Sequence, residues 1–110
     1  MAVIEATSNN FDSITQGDYV VMDLYGDNCG ACVLLAPIFE AASIDMPFVS
    51  FAHMNISQDT ECREIANRFN ITAIPTLLYF RNGKLIFKTV GSMERKELDE
   101  QLSRLLYKEN

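Results

Sequence analysis

The chain of 110 residues has no tryptophan, one histidine, three cysteines and three prolines, and each scarcity removes a class of protein. A structural zinc site takes four ligands, and beyond Cys29 and Cys32 the chain offers only Cys62 and His53, with no second C-x-x-C, so no metal is expected. An odd number of cysteines, two of them paired beside a strand-to-helix pattern, differs from a disulfide framework spread along a secreted chain. That favours a reactive pair in a reducing compartment. No stretch approaches the roughly eighteen apolar residues of a membrane span, and residues 1–5 have neither the basic nor the apolar part of a secretory leader; the expected location is the cytoplasm. Cations are scarce too. Nine Lys and Arg against fifteen Asp and Glu leave a net charge of −6, which argues against nucleic acid or an anionic membrane surface as a partner. There is no internal repeat, low-complexity tract or linker. A composition of 48% hydrophobic and 22% charged residues fits one domain over residues 1–110 with a single core, expected to act as a monomer.

What is present centres on the stretch from Asp18 to Glu40. Tyr19–Tyr25 is an apolar run with only Asp23 charged, the pattern of a strand covered on both faces. Turn formers Gly26, Asp27 and Asn28 break it, and from Cys32 the apolar residues recur at helical spacing through Leu35, Ile38 or Phe39, and Ala42. Cys29 and Cys32 therefore sit where a helix begins. The first N–H groups of a helix lack intrahelical partners and carry the positive end of its dipole, so a sulfur there is stabilised as thiolate. Cys29 is expected at the exposed mouth with a lowered pKa; Cys32, one turn on, is close enough to form a small disulfide ring. A zinc half-site or two incidental buried thiols are the competing readings of the pair. Asp23, inside an apolar strand, either is paired, or has a raised pKa, or escapes to solvent at the strand end.

The remaining elements follow in order. Residues 3–6 read as a first strand, and Ser8 or Asn9 as the cap of a short helix ending near Gly17. A long helix is expected over residues 30–43 with Pro37 inside it, and a third strand over residues 48–54. Strand, helix and strand make a right-handed parallel crossover, with the cysteine loop at the carboxyl end of a central strand. Asp59 or Thr60 caps a helix through Phe69. Thr76–Arg81 and Lys84–Val90 flank Asn82-Gly83, a strong hairpin signal, and Ser92 opens a last amphipathic helix with Glu94 in its first turn and Lys108 in its last.

Cys29-Gly30-Ala31-Cys32 after a strand, Pro37 in the following helix and Ile74-Pro75-Thr76 before a later strand together resemble the thioredoxin family, over nearly the whole chain. The resemblance implies an α/β thioredoxin fold, a central mixed sheet of about five strands flanked by about four helices. It implies a thiol–disulfide oxidoreductase that reduces protein disulfides, with Cys29 as nucleophile, Cys32 as resolving thiol and Asp23 as the general base for Cys32. A flavin-dependent thioredoxin reductase and protein disulfide clients are the implied partners, and no bound cofactor is implied. From the residues alone a trans proline opening a strand is the default for Pro75; the resemblance reverses this to a cis Ile74–Pro75 bond. Ala73 and Ile74 then offer backbone groups to an extended substrate. Gly91 is implied to line the same groove, with Asn28, Gly30 and Ala31 across it. His53 stands where the family usually has a lysine near the buried aspartate, and is read either as modulating Asp23 or as a packed strand histidine.

The chain also departs from the family. Asn28 replaces a tryptophan, Ala31 replaces a proline and restores an N–H near Cys29, Asp27 adds negative charge beside Cys29, and Val33 supplies no cation. Two alternatives follow: a dedicated electron-transfer partner of one reductase or client, or a binding module that uses the groove and not the cysteines. Cys62 reads as an unpaired, partly buried thiol.

Overall fold

The most apolar strand becomes the middle of the sheet. In the computed structural model, which describes residues 2–107, the elements run β1 (Val3–Glu5), α1 (Phe11–Thr15), β2 (Tyr19–Tyr25), α2 (Gly30–Asp45), β3 (Ser50–Asn55), α3 (Thr60–Arg68), β4 (Thr76–Arg81), β5 (Lys84–Val90) and α4 (Arg95–Tyr107). The sheet order is β1-β3-β2-β4-β5, with β3 parallel to both β1 and β2 and the β2–β4–β5 half antiparallel. This is the mixed five-stranded sheet with four helices that the sequence implies. Parallel pairing of β2 with β3 requires a crossover, and α2 supplies it.

Side-chain alternation along β2 divides the interior in two. Val21 faces α2 and α4, packing with Leu35, Phe39, Phe51, Tyr79, Leu98, Leu102 and Leu105. Val20, Met22 and Leu24 face the other way, against Phe11 of α1 and Cys62, Ile65 and Ala66 of α3. On that side the rings of Phe11, Phe69 and Phe80 meet in tilted and edge-to-face pairs with centroids 5.8–6.4 Å apart. Both faces of the central strand are therefore covered, which is why its apolar run is nearly unbroken.

Several boundaries differ from expectation, each for a local reason. The third strand begins at Ser50, because α2 continues to Asp45 and a turn closed by Val49 N–H to the Met46 carbonyl occupies residues 46–49. Phe48 is left 60% exposed by that turn. Helix α1 starts at Phe11, and neither Ser8 nor Asn9 caps it. Asn10 stands at the cap position, but its side chain accepts from Thr7 N–H at 2.7 Å and donates to the Glu5 carbonyl, tying the helix back to β1. The first strand ends at Glu5, although Ala6 N–H still reaches the His53 carbonyl at 2.8 Å. Helix α4 starts at Arg95, so Ser92 and Glu94 precede it and Glu97 is its first-turn acid; the expected last-turn Lys108 lies outside the described residues. Asp59 does cap α3, its Oδ1 accepting from Cys62 N–H at 2.8 Å.

Phe39 is the pivot between α2 and the sheet, fully buried with its ring edge-on to Phe51 at 5.1 Å. Phe39→Ala is expected to lower the unfolding free energy by about 3–5 kcal/mol. Urea titration checks this as a lower midpoint at unchanged slope.

Candidate active site

Helix α2 begins at the cysteine pair. Cys29 is its N-cap residue, with extended backbone, and its Sγ accepts a hydrogen bond from Cys32 N–H at 3.1 Å. The backbone donor at this sulfur is thus that of Cys32, and not that of Ala31. Cys29 and Cys32 are joined as a disulfide, their Cα atoms 5.3 Å apart. Cys29 is half-buried and Cys32 is 5% exposed, so the outer and inner sulfurs are disposed as the spacing implies.

The opposite wall comes from the turn before β4. The Ile74–Pro75 peptide is cis, and the Ile74 carbonyl lies 3.8 Å from Cys29 Sγ. The Ala73 carbonyl accepts from the Thr76 hydroxyl at 2.6 Å, whereas the Ala73 N–H has no partner among the described residues. Gly91, at φ +95°, donates its N–H to the Pro75 carbonyl at 2.8 Å. A Cβ there would meet nothing within 4 Å, so its backbone angle, and not space, calls for glycine. Asn28 also sits in the left-handed region at φ 55°, which asparagine tolerates better than most residues. Gly30, Asn28 and half-buried Ala31 lie at the exposed rim. Val33 and Leu34, 71% and 68% exposed, continue an apolar surface away from the sulfurs.

Beneath Cys32 lies the carboxyl of Asp23. Asp23 shares the α2 face of β2 with Val21, and with Cys32, Tyr25, Gly26, Val33, Ala36 and His53 it lines one pocket of about 240 Å³. It is 3% exposed, and its Oδ1 has no hydrogen-bond partner among the described residues. Burial alone pushes this carboxyl up to about 7 from an ordinary 3.8. A carboxyl poised there can exchange a proton with a nearby thiol at neutral pH. His53 is Asp23's neighbour in the β2–β3 register, as the fold implied, yet its hydrogen bond goes elsewhere: Nε2 meets Glu5 Oε1 at 2.8 Å.

Sequence reasoning missed four residues here. Glu5, from β1, holds His53, and the Tyr25 ring lies against the imidazole with centroids 5.1 Å apart. Gly26 is buried, and a Cβ on it would meet Ile74 Cδ1 and Ser57 Oγ at 2.9 Å, so it admits the proline loop to close range. Ser57 Oγ in turn accepts from Asp27 N–H at 3.2 Å. Only Gly26 had a visible signal, a turn glycine next to the motif. Cys62 is free, fully buried and far from use; burial and the neighbouring Asp59 push its thiol up to about 11.

The thioredoxin family model matches residues 2–104. The chain belongs to the thioredoxin family. Among its relatives, a thioredoxin of Chlamydia muridarum is 33% identical over 104 residues, covering 94% of this chain and 98% of its own. Thioredoxin-1 of Saccharomyces cerevisiae is 38% identical over 87 residues, 78% of this chain and 82% of its own. Of solved structures, the Malassezia sympodialis thioredoxin superposes with a TM-score of 0.78 at 28% identity, covering 92% of this chain and 89% of that one. Chlamydomonas reinhardtii thioredoxin f2 shares the fold with a TM-score of 0.85 at 21% identity, over 94% and 96% of the two chains. Thioredoxins are protein-disulfide oxidoreductases. With its cysteines at disulfide distance on the helix terminus, this member is a thiol–disulfide oxidoreductase of protein disulfides, and the family implies disulfide-bearing clients and reductase partners in general. Among the described residues no helix is long and apolar enough to cross a membrane.

The buried carboxyl has a measurable cost. Below pH 3.8 folded and unfolded chains both hold the Asp23 proton; between 3.8 and about 7 only the folded chain does, so stability falls as pH rises through that window. Above it the loss amounts to about 4 kcal/mol. Asp23→Asn is therefore expected to resist urea better than the native protein at about pH 8, by at most about that amount, with the difference gone near pH 4. Equal midpoints at the higher pH would show that the carboxylate is solvated or paired after all.

Proposed function

We propose that this protein is a cytoplasmic dithiol reductant of protein disulfides, working as a single-domain monomer. Reduced Cys29 attacks a client disulfide as thiolate: one client sulfur leaves, and the other is bonded to Cys29 as a mixed disulfide. Cys32 gives its proton to the Asp23 carboxylate and attacks Cys29. The client thiolate departs, and Cys29–Cys32 closes with the client fully reduced. A flavin-dependent thioredoxin reductase returns two electrons to the pair. The observation that carries this reading is the shared pocket, lined by the inner cysteine and by a buried carboxyl whose Oδ1 has no hydrogen-bond partner among the described residues. Alongside, the unpaired Ala73 N–H in the Ala73–Pro75 turn supports capture of an extended client segment by backbone pairing. Asn28, Gly30, Ala31 and Gly91 form the rim that the client touches.

A second reading, a dedicated carrier for one reductase or client, draws on that rim. Asn28 in place of a tryptophan, the negative Asp27, and exposed Val33 and Leu34 give the sulfurs an unusual setting. A binding module that does not use its cysteines has less support, given the geometry beneath Cys32.

Insulin reduction coupled to a thioredoxin reductase tests the main reading. The native protein is expected to turn over, Cys29→Ser to fall to the uncatalysed rate, and Cys32→Ser to accumulate stable mixed disulfides with clients. No turnover, with a single captured partner, would favour the dedicated carrier. Because imidazole as a side-chain type changes charge nearer neutrality than an ammonium does, the pH profile of disulfide exchange is expected to be steeper for the native protein than for His53→Lys. Coincident profiles would remove His53 from the mechanism.

A further inference from the structure

The register of three adjacent strands puts Glu5, His53 and Asp23 in one row across the sheet. Glu5 pairs with His53 between β1 and β3, and His53 with Asp23 between β3 and β2. Paired positions of neighbouring strands project to the same face, here the face under α2. The row runs from solvent to interior: the Glu5 side chain is 57% exposed, that of His53 29%, and Asp23 is buried. Asp23 and His53 open onto the same 240 Å³ pocket as Cys32, enough room for water. The hydrogen bond from His53 to the Glu5 carboxylate puts the proton of the neutral imidazole on Nε2, leaving Nδ1 as an acceptor.

From this geometry we propose that Glu5 and His53 form the exit path for the proton that Asp23 takes from Cys32, with His53 as the relay and Glu5 as its positioning residue. The inference rests on Asp23 being the base for Cys32. The Cys32 thiolate attacks Cys29 and expels the client thiolate with its electron pair only while its own proton is kept away, so Asp23 must pass on the proton it has taken. Through a water in the pocket it passes that proton to His53 Nδ1. The resulting imidazolium, bonded through Nε2–H to Glu5, releases one proton to solvent, and the Asp23 carboxylate is restored for the next turnover. The other groups around His53 do not substitute for it. On β2 these are Asp23 itself and Tyr25, a phenol held protonated by burial and by the carboxylates of Glu5, Asp23 and Asp27. Helix α2 brings only Cys32, Val33 and Ala36 to the pocket.

The test is stopped-flow reaction of the reduced full-length protein with Ellman's reagent, which releases one thionitrobenzoate when Cys29 attacks and a second when Cys32 resolves. His53→Ala and His53→Asn are expected to slow the second phase about tenfold at neutral pH while the first keeps its rate. Glu5→Gln is expected to fall between native and His53→Ala. Added imidazole, small enough for the pocket, should restore the second phase in His53→Ala. In an Asp23→Asn background the histidine substitution should add nothing. A native second phase in both histidine variants, a loss that imidazole leaves unchanged, or a full additional loss in the Asp23→Asn background would each overturn the relay. A native second phase in Asp23→Asn alone would instead overturn Asp23 as the base, and the relay with it.

Discussion

Parallel pairing of β2 with β3 is the constraint on which the rest depends. Two parallel strands cannot be joined by a tight turn, so the chain must cross the sheet, and α2 is the crossing. Its N-terminus then falls at the carboxyl end of the central strand, where Cys29 caps it. The same register aligns Asp23 with His53 and brings both beneath the helix that carries Cys32. One set of ladder hydrogen bonds thus places the sulfurs, the carboxyl and the imidazole. The antiparallel half of the sheet adds the other wall, since β4 must start beside the end of β2 and the Ile74–Pro75 turn precedes it.

The carboxyl of Asp23 runs against the packing logic that governs its neighbours. Val21, Met22 and Leu24 are fully buried and apolar, and a leucine at position 23 would extend the core. Retaining there an acid whose Oδ1 has no partner among the described residues costs stability at neutral pH and places a proton acceptor on the pocket shared with the inner thiol. Cys62 shows the contrasting case. It too is buried, and although it lies in the first turn of α3, burial and Asp59 keep it protonated. Two buried positions, one acid and one thiol, are perturbed in the same direction with opposite chemical consequences: an acid so raised is able to exchange a proton near neutrality, whereas a thiol so raised stays protonated.

Around the sulfurs the surface is apolar and short of positive charge. Ala31, Val33, Leu34, Ile74 and Val90 border or flank the site, with Asp27 as the near acid, its Oδ1 held by Asn55 Nδ2 at 3.2 Å. An apolar rim of this kind suits contact by shape and backbone pairing, with electrostatics bearing on which partners approach.

Much of this was legible in the linear chain, and the reasons are local. The apolar run of β2, the period change after Asn28, the Asn82-Gly83 hairpin and the apolar stripe of α4 each report on neighbours within a few residues, where alternation and helical period decide burial. Cys29 and Cys32 declared themselves because two residues of spacing at a helix start put both sulfurs on one face. The cis Ile74–Pro75 turn was reached, and the role proposed for Asp23 is suggested, only by resemblance, because nothing local distinguishes them from a strand-opening proline and a strand-end acid. Glu5 was not legible at all, and Gly26 only as a turn former. Glu5 is 48 positions from His53, and which side chain β1 presents to it depends on a strand register that no three-residue strand encodes alone. Gly26 reads as an ordinary turn residue until Ile74 is packed against it. The sequence by itself determined the elements and the reactive pair, through interactions within a turn or a strand; only the tertiary structure decided what the carboxyl of Asp23 faces and which group holds His53, because those contacts cross three strands.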